Sequence, residues 1–273
     1  MQTALPHPNV GTLIREWRQR RRLSQLDLAC EADISTRHLS YVENGRASPS
    51  REMLMHLAEQ LDVPLRERNQ LLTAAGYAPI YRERPLDDPA LASARQAVDI
   101  VLRAHEPYPA IAIDRHWTML AHNRTVPLLL EGIAPELLAP PLNVLRLSLH
   151  PQGLAPRILN LAQWREHLFI RLRQQINVSS DPVLVEMLHE LQALPFDPAQ
   201  SHGAPIDPNG IAVPLQFNSA AGVLSFIGTT TVFGTPVDIT LSELALETFF
   251  PADARTAETL RRLGDGQGAG AAS

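Results

Sequence analysis

The side chains best suited to chemistry in this sequence lie close together after Ser35. Thr36, Arg37, Ser40 and Tyr41 recur at spacings of one, three and four residues, which gathers them on one face if the segment is helical. Short hydroxyls beside a forked guanidinium suit hydrogen-bond readout of flat polar edges. Arg37 in particular can bridge O6 and N7 of one guanine with two parallel hydrogen bonds, worth about 1–3 kcal/mol of discrimination.

No other pattern assembles a reaction centre. The ten histidines contain no HExxH, and His189 beside Glu190 reads as a helix surface pair. Ser225 sits in GVLSFIG, a strand pattern and not the Gly-x-Ser-x-Gly elbow of a hydrolase. No glycine-rich loop precedes a helix to cradle phosphate. A lone cysteine, Cys30, excludes an internal disulfide framework and a cysteine-based zinc cluster. Within its helix it reads as a small buried hydrophobe. The expectation is a protein that is not an enzyme and carries no cofactor or metal.

Holding the Thr36–Tyr41 face in place requires a capped helix on a packed support. Ser35 is a natural N-cap, Ile34 and Leu39 can close a hydrophobic staple across it, and Gly45 supplies the stop. Leu39 and Val42 then point inward. Upstream, Val10, Leu13, Ile14 and Trp17 form the stripe of a first helix, and Ser24 with Asp27 opens a short second one. Downstream, a fourth helix starts at Ser50 and ends at Pro64, and a fifth runs from Leu65 to Ala75 with Gly76 after it. The short second helix, the turn Ala32-Asp33-Ile34 and the polar face of the third describe a helix-turn-helix, whose third helix would enter a DNA major groove.

The whole chain has 273 residues, a formal charge of −5, 45% hydrophobic and 19% charged residues, which places it among ordinary globular proteins of about two domains. Every basic residue is Arg. Twelve Arg face ten acids through Arg84, and twelve face nineteen beyond it, so a nucleic acid would be met by the first third. Arg20-Arg21-Arg22 is a charge run that suits either solvent or a DNA backbone. The apolar stretch 127–142 is broken by Glu131, Glu136 and prolines, and the N-terminus has neither a basic nor an apolar leader region. A cytoplasmic protein without membrane contact is therefore expected.

Residues 79–94, rich in Pro and charge at their start, read as a linker between a domain over 1–78 and another over 95–263. Leu91, Ala94, Val98, Val101 and Leu102 suggest a helix. Strand character appears at 110–114 and 116–122, joined by a turn at Asp114-Arg115, and returns at 211–217, 222–228 and 229–234. Helical spacing dominates between, strongest over 161–176 and 182–194. This order implies an antiparallel sheet with helices on one face, an α+β domain behind an all-α one. The Gly- and Ala-rich end, 264–273, reads as a disordered tail.

Two resemblances sharpen this reading. LSQLDLACEADISTRHLSYVENGRASPS (23–50) resembles the helix-turn-helix of the XRE/Cro-like family of phage-repressor-type regulators. The resemblance implies that Gln25, Asn44 and Arg46 touch phosphates, that Thr36, Arg37 and Tyr41 touch bases beside Ser35 and Ser40, and that Arg18 pairs structurally with Glu43. Three further blocks, 106–123, 140–160 and 233–253, resemble the ligand-binding domain of MmyB-like regulators. That domain is PAS-like, so the resemblance implies a curved antiparallel sheet whose helices enclose a cavity for a small apolar molecule, with fatty acids the leading class. Trp117, Trp164 and Phe169 would supply wall, and Asn123, Asn143, Arg146, His150 and Arg157 are the candidate partners of a polar head. A homodimer on a double-stranded operator completes the expectation, since one helix-turn-helix spans few base pairs. Two alternatives stay open: a second domain that only dimerises or binds a protein partner, and a helix-turn-helix fused to an enzyme domain.

Overall fold

The computed structural model describes residues 9–197 and 213–270. They form two compact units, one holding the chain up to Arg84 with segments 177–179 and 236–242, the other holding the rest.

The first unit contains α1 (Val10–Arg20), α2 (Gln25–Glu31), α3 (Thr36–Glu43), α4 (Arg51–Gln60) and α5 (Leu65–Ala74). Local chemistry starts and stops them. Asn9, Ser24, Ser35 and Ser50 each accept a backbone N–H in the first turn of α1 to α4, and Ser24 with Asp27 completes a capping box. Gly45 (φ +69°) and Gly76 (φ +83°) take the left-handed conformation past α3 and α5. Asp62, at φ +46°, turns the chain at the end of α4 before Pro64 is reached. Ile14, Leu28, Leu39, Val42, Leu54, Leu57, Leu61 and Leu72 are fully buried between the helices, each contributing about 1.5–3 kcal/mol.

The tightest approach is between α1 and α3. A Cβ at Gly11 would lie 2.2 Å from the Val42 carbonyl oxygen and 2.8 Å from that of Glu43. Gly11→Ala is therefore expected to destabilise the first unit by about 1–3 kcal/mol. Thermal melting followed by circular dichroism would register the lower Tm; an unchanged Tm would contradict this packing.

In the second unit, β1 (Ala110–Ile113), β2 (Met119–His122), β3 (Leu215–Ser219), β4 (Gly222–Val232) and β5 (Ala245–Pro251) form one antiparallel sheet in the order β2-β1-β5-β4-β3. Helices α6 (Ala92–Ala104), α7 (Val126–Leu129), α8 (Pro135–Leu138), α9 (Val144–Leu149), α10 (Leu161–Ser179), α11 (Pro182–Ala193), α12 (Ile239–Ser242) and α13 (Ala254–Gly270) complete the chain. Of these, α12 lies in a segment of the first unit, where the Asp238 carboxylate accepts from Arg84 at 2.7 Å.

The α+β class expected from sequence holds, with one amendment to the layering. Ile111 and Ile113 join Trp117, Trp164, Leu168 and Phe226 on one face, while Ala110 and Ala112 pack with Val98 and Leu102 of α6 on the other. A strand apolar at every position must be covered on both sides. Further differences follow local chemistry. The Asp114 carboxylate accepts from the backbone of His116 and of Thr118, both at 2.8 Å, so the turn extends to Thr118 and β2 starts at Met119. The two strands expected over 222–234 are one, because Thr229 to Val232 pair continuously with β5. Residues 211 and 212 of the expected third strand lie outside the described residues. A 3₁₀ turn at Pro89–Leu91 and the start of α6 occupy the end of the expected linker. At the other end, α13 runs on to Gly270 into the stretch expected to be a disordered tail; its start is anchored by buried Thr256, Thr259 and Leu260, and propagation from an anchored turn costs little. Residues 271–273 lie outside the described residues.

Candidate functional site

The exposed side of α3 is the first candidate. Ser35 spends its hydroxyl on the cap, accepting the His38 N–H at 3.1 Å. Arg37 is exposed, and its Nε donates to Tyr41 Oη at 3.1 Å while the guanidinium lies 5.4 Å from the ring centroid. Such stacking preorganises the planar fork. Thr36 and Ser40 are half-buried beside it. Past the helix, Asn44 donates to Ser40 at 3.3 Å and accepts from Arg15 at 2.5 Å. Arg46 is exposed, with no side-chain partner among the described residues. The sequence missed Arg15, which lies on α1 and so joins this rim only in the folded unit.

Beneath that face lies the group that fixes it. Glu43 has a fully buried side chain. Arg18 donates to it through Nε at 2.6 Å and Nη2 at 2.9 Å, Gln25 through Nε2 at 2.7 Å, and Arg15 through Nε at 3.4 Å. Burial opposes the charge of Glu43, but the hydrogen bonds from Arg18, Gln25 and Arg15 and the Arg18 charge outweigh it and hold the carboxyl below its ordinary range. One carboxylate thus ties α1, α2 and α3 together. The ion pair expected between Arg18 and Glu43 forms. Gln25, expected at a phosphate, commits one of its two amide hydrogens to Glu43 and keeps one.

The arginine run divides. Arg20 pairs with Glu16 at 3.6 Å, Arg21 donates to the carbonyls of Leu61 and Asp62 at 2.7 Å each, and Arg22, like Arg20, is exposed. Cys30 is exposed, contrary to the buried position expected of it, because α2 buries Leu28 and Ala29 on its inner side.

The second candidate is a cavity of about 150 Å³ inside the second unit. Apolar side chains from α7, α9, α10 and the sheet make most of its wall, among them Trp117, Trp164, Met119, Phe217, Phe226 and Phe249. Gly228 leaves room opposite Phe249, its partner in the ladder. Polar groups reach the wall at Ser148, His167, Arg171 and Glu247. Ser148 accepts the Trp164 indole N–H at 2.9 Å. Arg171 grips Glu247 with two bonds, Nη2 to Oε1 at 2.7 Å and Nη1 to Oε2 at 3.1 Å, and lies 4.8 Å from the Trp117 ring centroid. Thr230 donates to the same carboxylate at 2.9 Å from its place opposite Glu247 in the ladder. His167 stacks on Trp164, with centroids 5.3 Å apart. Burial first, and then the Arg171 charge, push its imidazole below the ordinary histidine range, so at neutral pH the ring is uncharged.

Of the expected ligand-binding residues, the structure brings Trp117 and Trp164 to the cavity. The five expected head-group partners are absent from its wall, each for a visible reason. Asn123 is buried, accepting from Ala110 and donating to the carbonyls of Leu102 and Tyr108. Asn143 caps α9 and donates to the His116 carbonyl at 2.7 Å. Arg146 is at the surface in a two-pronged pair with Glu190, 2.7 Å at each prong. His150 accepts from the Gln152 backbone at 3.1 Å. Arg157 donates to the carbonyls of Leu129, Glu131 and Asn218 and covers the Phe217 ring. Phe169 packs in the core beneath Arg165 and does not line the cavity. Among the described residues, no cluster of His, Cys, Asp or Glu could hold a metal, and no helix is long and apolar enough to cross a membrane.

Comparison with known proteins matches a family model to each of the two regions. Residues 14–68 match the helix-turn-helix family model, and residues 94–263 match that of the MmyB-like transcription regulator ligand binding domain. No curated protein matches the chain. The solved structure of an RNA-binding light-oxygen-voltage receptor aligns with 94% of this chain and 63% of its own, at 12% identity and a TM-score of 0.25, a likeness that carries no argument. With more than half of its residues in the ligand-binding model, the chain belongs to the MmyB-like transcription regulators and joins a DNA-binding helix-turn-helix to a ligand-sensing domain.

Proposed function

We propose that this regulator reads a specific operator through Thr36, Arg37, Ser40 and Tyr41 of α3, is held in register by phosphate contacts from Gln25, Asn44 and Arg46, and senses a small apolar molecule with a fatty-acyl character in its second unit. The observation that carries the reading is the mostly apolar cavity of about 150 Å³. A domain that served only to dimerise or to bind a protein would gain stability by filling that space. The curved antiparallel sheet with helices around a cavity supports a PAS-like sensor. Ligand binding would shift a cytoplasmic homodimer between geometries that match, or fail to match, two half-sites about 34 Å apart.

Denaturing mass spectrometry of protein purified without added ligand tests the sensing half of this reading. The expected result is a co-purified apolar small molecule at near-stoichiometric amount. Protein that arrives empty, and whose Tm rises with no apolar compound of any chain length, would contradict it.

A further inference from the structure

A guanidinium donates hydrogen bonds and accepts none. Where Arg15 Nη2 meets the side chain of Asn44, at 2.5 Å, the atom that faces it is therefore the amide oxygen Oδ1. That contact settles the other half of the amide as well. One hydrogen of Nδ2 goes to Ser40 Oγ at 3.3 Å, and the second is uncommitted among the described residues. Both contacts lie at the surface, beside the exposed side of α3. An unrestrained surface amide can exchange its oxygen and nitrogen by a half-turn about its last torsion. Only one of the two orientations serves an anion, since the other presents an oxygen to it.

Arg15 is itself held from below. Its Nη2 also donates to the main-chain carbonyl of Glu43 at 3.1 Å, one of the acceptors left over at the end of α3, and its Nε reaches Glu43 Oε2 at 3.4 Å. The Glu43 side chain is fully buried and is fixed by Arg18 and Gln25. The buried carboxylate thus sets Arg15, and Arg15 sets the amide.

We infer that Arg15 of α1 is a positioning residue for DNA binding: it locks Asn44 with Nδ2 free to donate to a phosphate oxygen, and does so without meeting the duplex itself. The inference deepens the proposed phosphate contact of Asn44 and depends on it.

A double-substitution cycle in the full-length protein separates the outcomes. Parent, Arg15→Met, Asn44→Ala and the doubly substituted protein are titrated by fluorescence anisotropy, over a series of salt concentrations, against the duplex the parent selects from a random pool and against a scrambled one. Asn44→Ala should weaken both duplexes by about 10-fold per subunit, the size of one hydrogen bond to a charged group. Arg15→Met should weaken both by about 2- to 10-fold per subunit, the cost of ordering one side chain on binding. The double substitution should be no weaker than Asn44→Ala alone, because Arg15 acts only through the amide. In Arg15→Met the salt dependence should keep the parental slope, since the contact that is loosened comes from a neutral group. Losses that multiply in the double variant, or a slope lower by about one unit in Arg15→Met, would overturn the inference and leave the Asn44 contact standing. Parental binding by Asn44→Ala would overturn that contact and the inference together. Should Arg15→Met melt below the assay temperature, Arg15→Lys serves in the same cycle: it keeps the charge, loses the fork that reaches Glu43 and Asn44 at once, and should show the same non-additivity.

Discussion

Replacing Glu43 with alanine is expected to cost the first unit about 3–5 kcal/mol, enough to abolish its cooperative melt and any binding to DNA, because the change leaves Arg18 buried and unmatched. The expectation follows from geometry. The carboxylate is buried and takes four hydrogen bonds from three side chains on two other helices. Breaking one member of such a pair is far costlier than replacing both. An Arg18→Met, Glu43→Leu variant, apolar at both positions, should therefore recover most of the loss. Thermal melts of the three proteins decide this; a Glu43→Ala melt within about 1 kcal/mol of the parent would contradict the network's role. The network also has a pH signature. Because the folded carboxyl is held below its ordinary range, its contribution is complete above the usual glutamate value of about 4.3 and disappears as pH falls through the lower folded value. The first unit should therefore keep its full stability at mild acidity and lose it only below that range.

The second large effect concerns reading. Thr36→Ala with Arg37→Ala should remove base recognition while leaving the fold intact, because both residues lie outside the core and the cap belongs to Ser35. Loss of the forked contact of Arg37 alone corresponds to about 1–3 kcal/mol, or about 5- to 150-fold, on the preferred duplex. Arg46→Ala gives the contrast. A lost phosphate contact weakens every duplex alike and lowers the salt dependence by about one unit of slope. Arg46 serves better than Gln25 here, since Gln25 also donates to Glu43 and its removal would disturb the support as well as the contact.

Much of the first unit was legible in sequence because its determinants are local. Ser24, Asp27, Ser35, Ser50 and Gly45 act within a turn of where they stand, and the apolar spacing around them repeats at the helical period. The rim around Arg15 was not legible, since Arg15 meets Asn44 across 29 positions of chain. In the second unit α6, α10, α11 and β1 could be read, but α13 and β5 could not. Its Leu246, Glu247 and Thr248 are buried in succession, so the strand lacks the alternation that marks a half-exposed one. Missing β5 meant missing the polar end of the cavity. Arg171 and Glu247 are separated by 76 positions and come together only because β5 lies at the centre of the sheet. Arg146 and Arg157, by contrast, stand out in sequence as polar residues within apolar runs. Such residues are more often satisfied by a nearby carboxylate or carbonyl, and both of these are.

Operator recognition as proposed requires that the outer face of α3 distinguish one base sequence from another. It is tested most directly by letting the full-length protein select its preferred duplex from a random pool, then titrating parent and Thr36→Ala, Arg37→Ala protein against that duplex and a scrambled one by fluorescence anisotropy at fixed salt. The expected result is a variant that binds both duplexes with nearly the affinity the parent has for the scrambled one. A folded variant that still prefers the selected duplex by the parental ratio would contradict it.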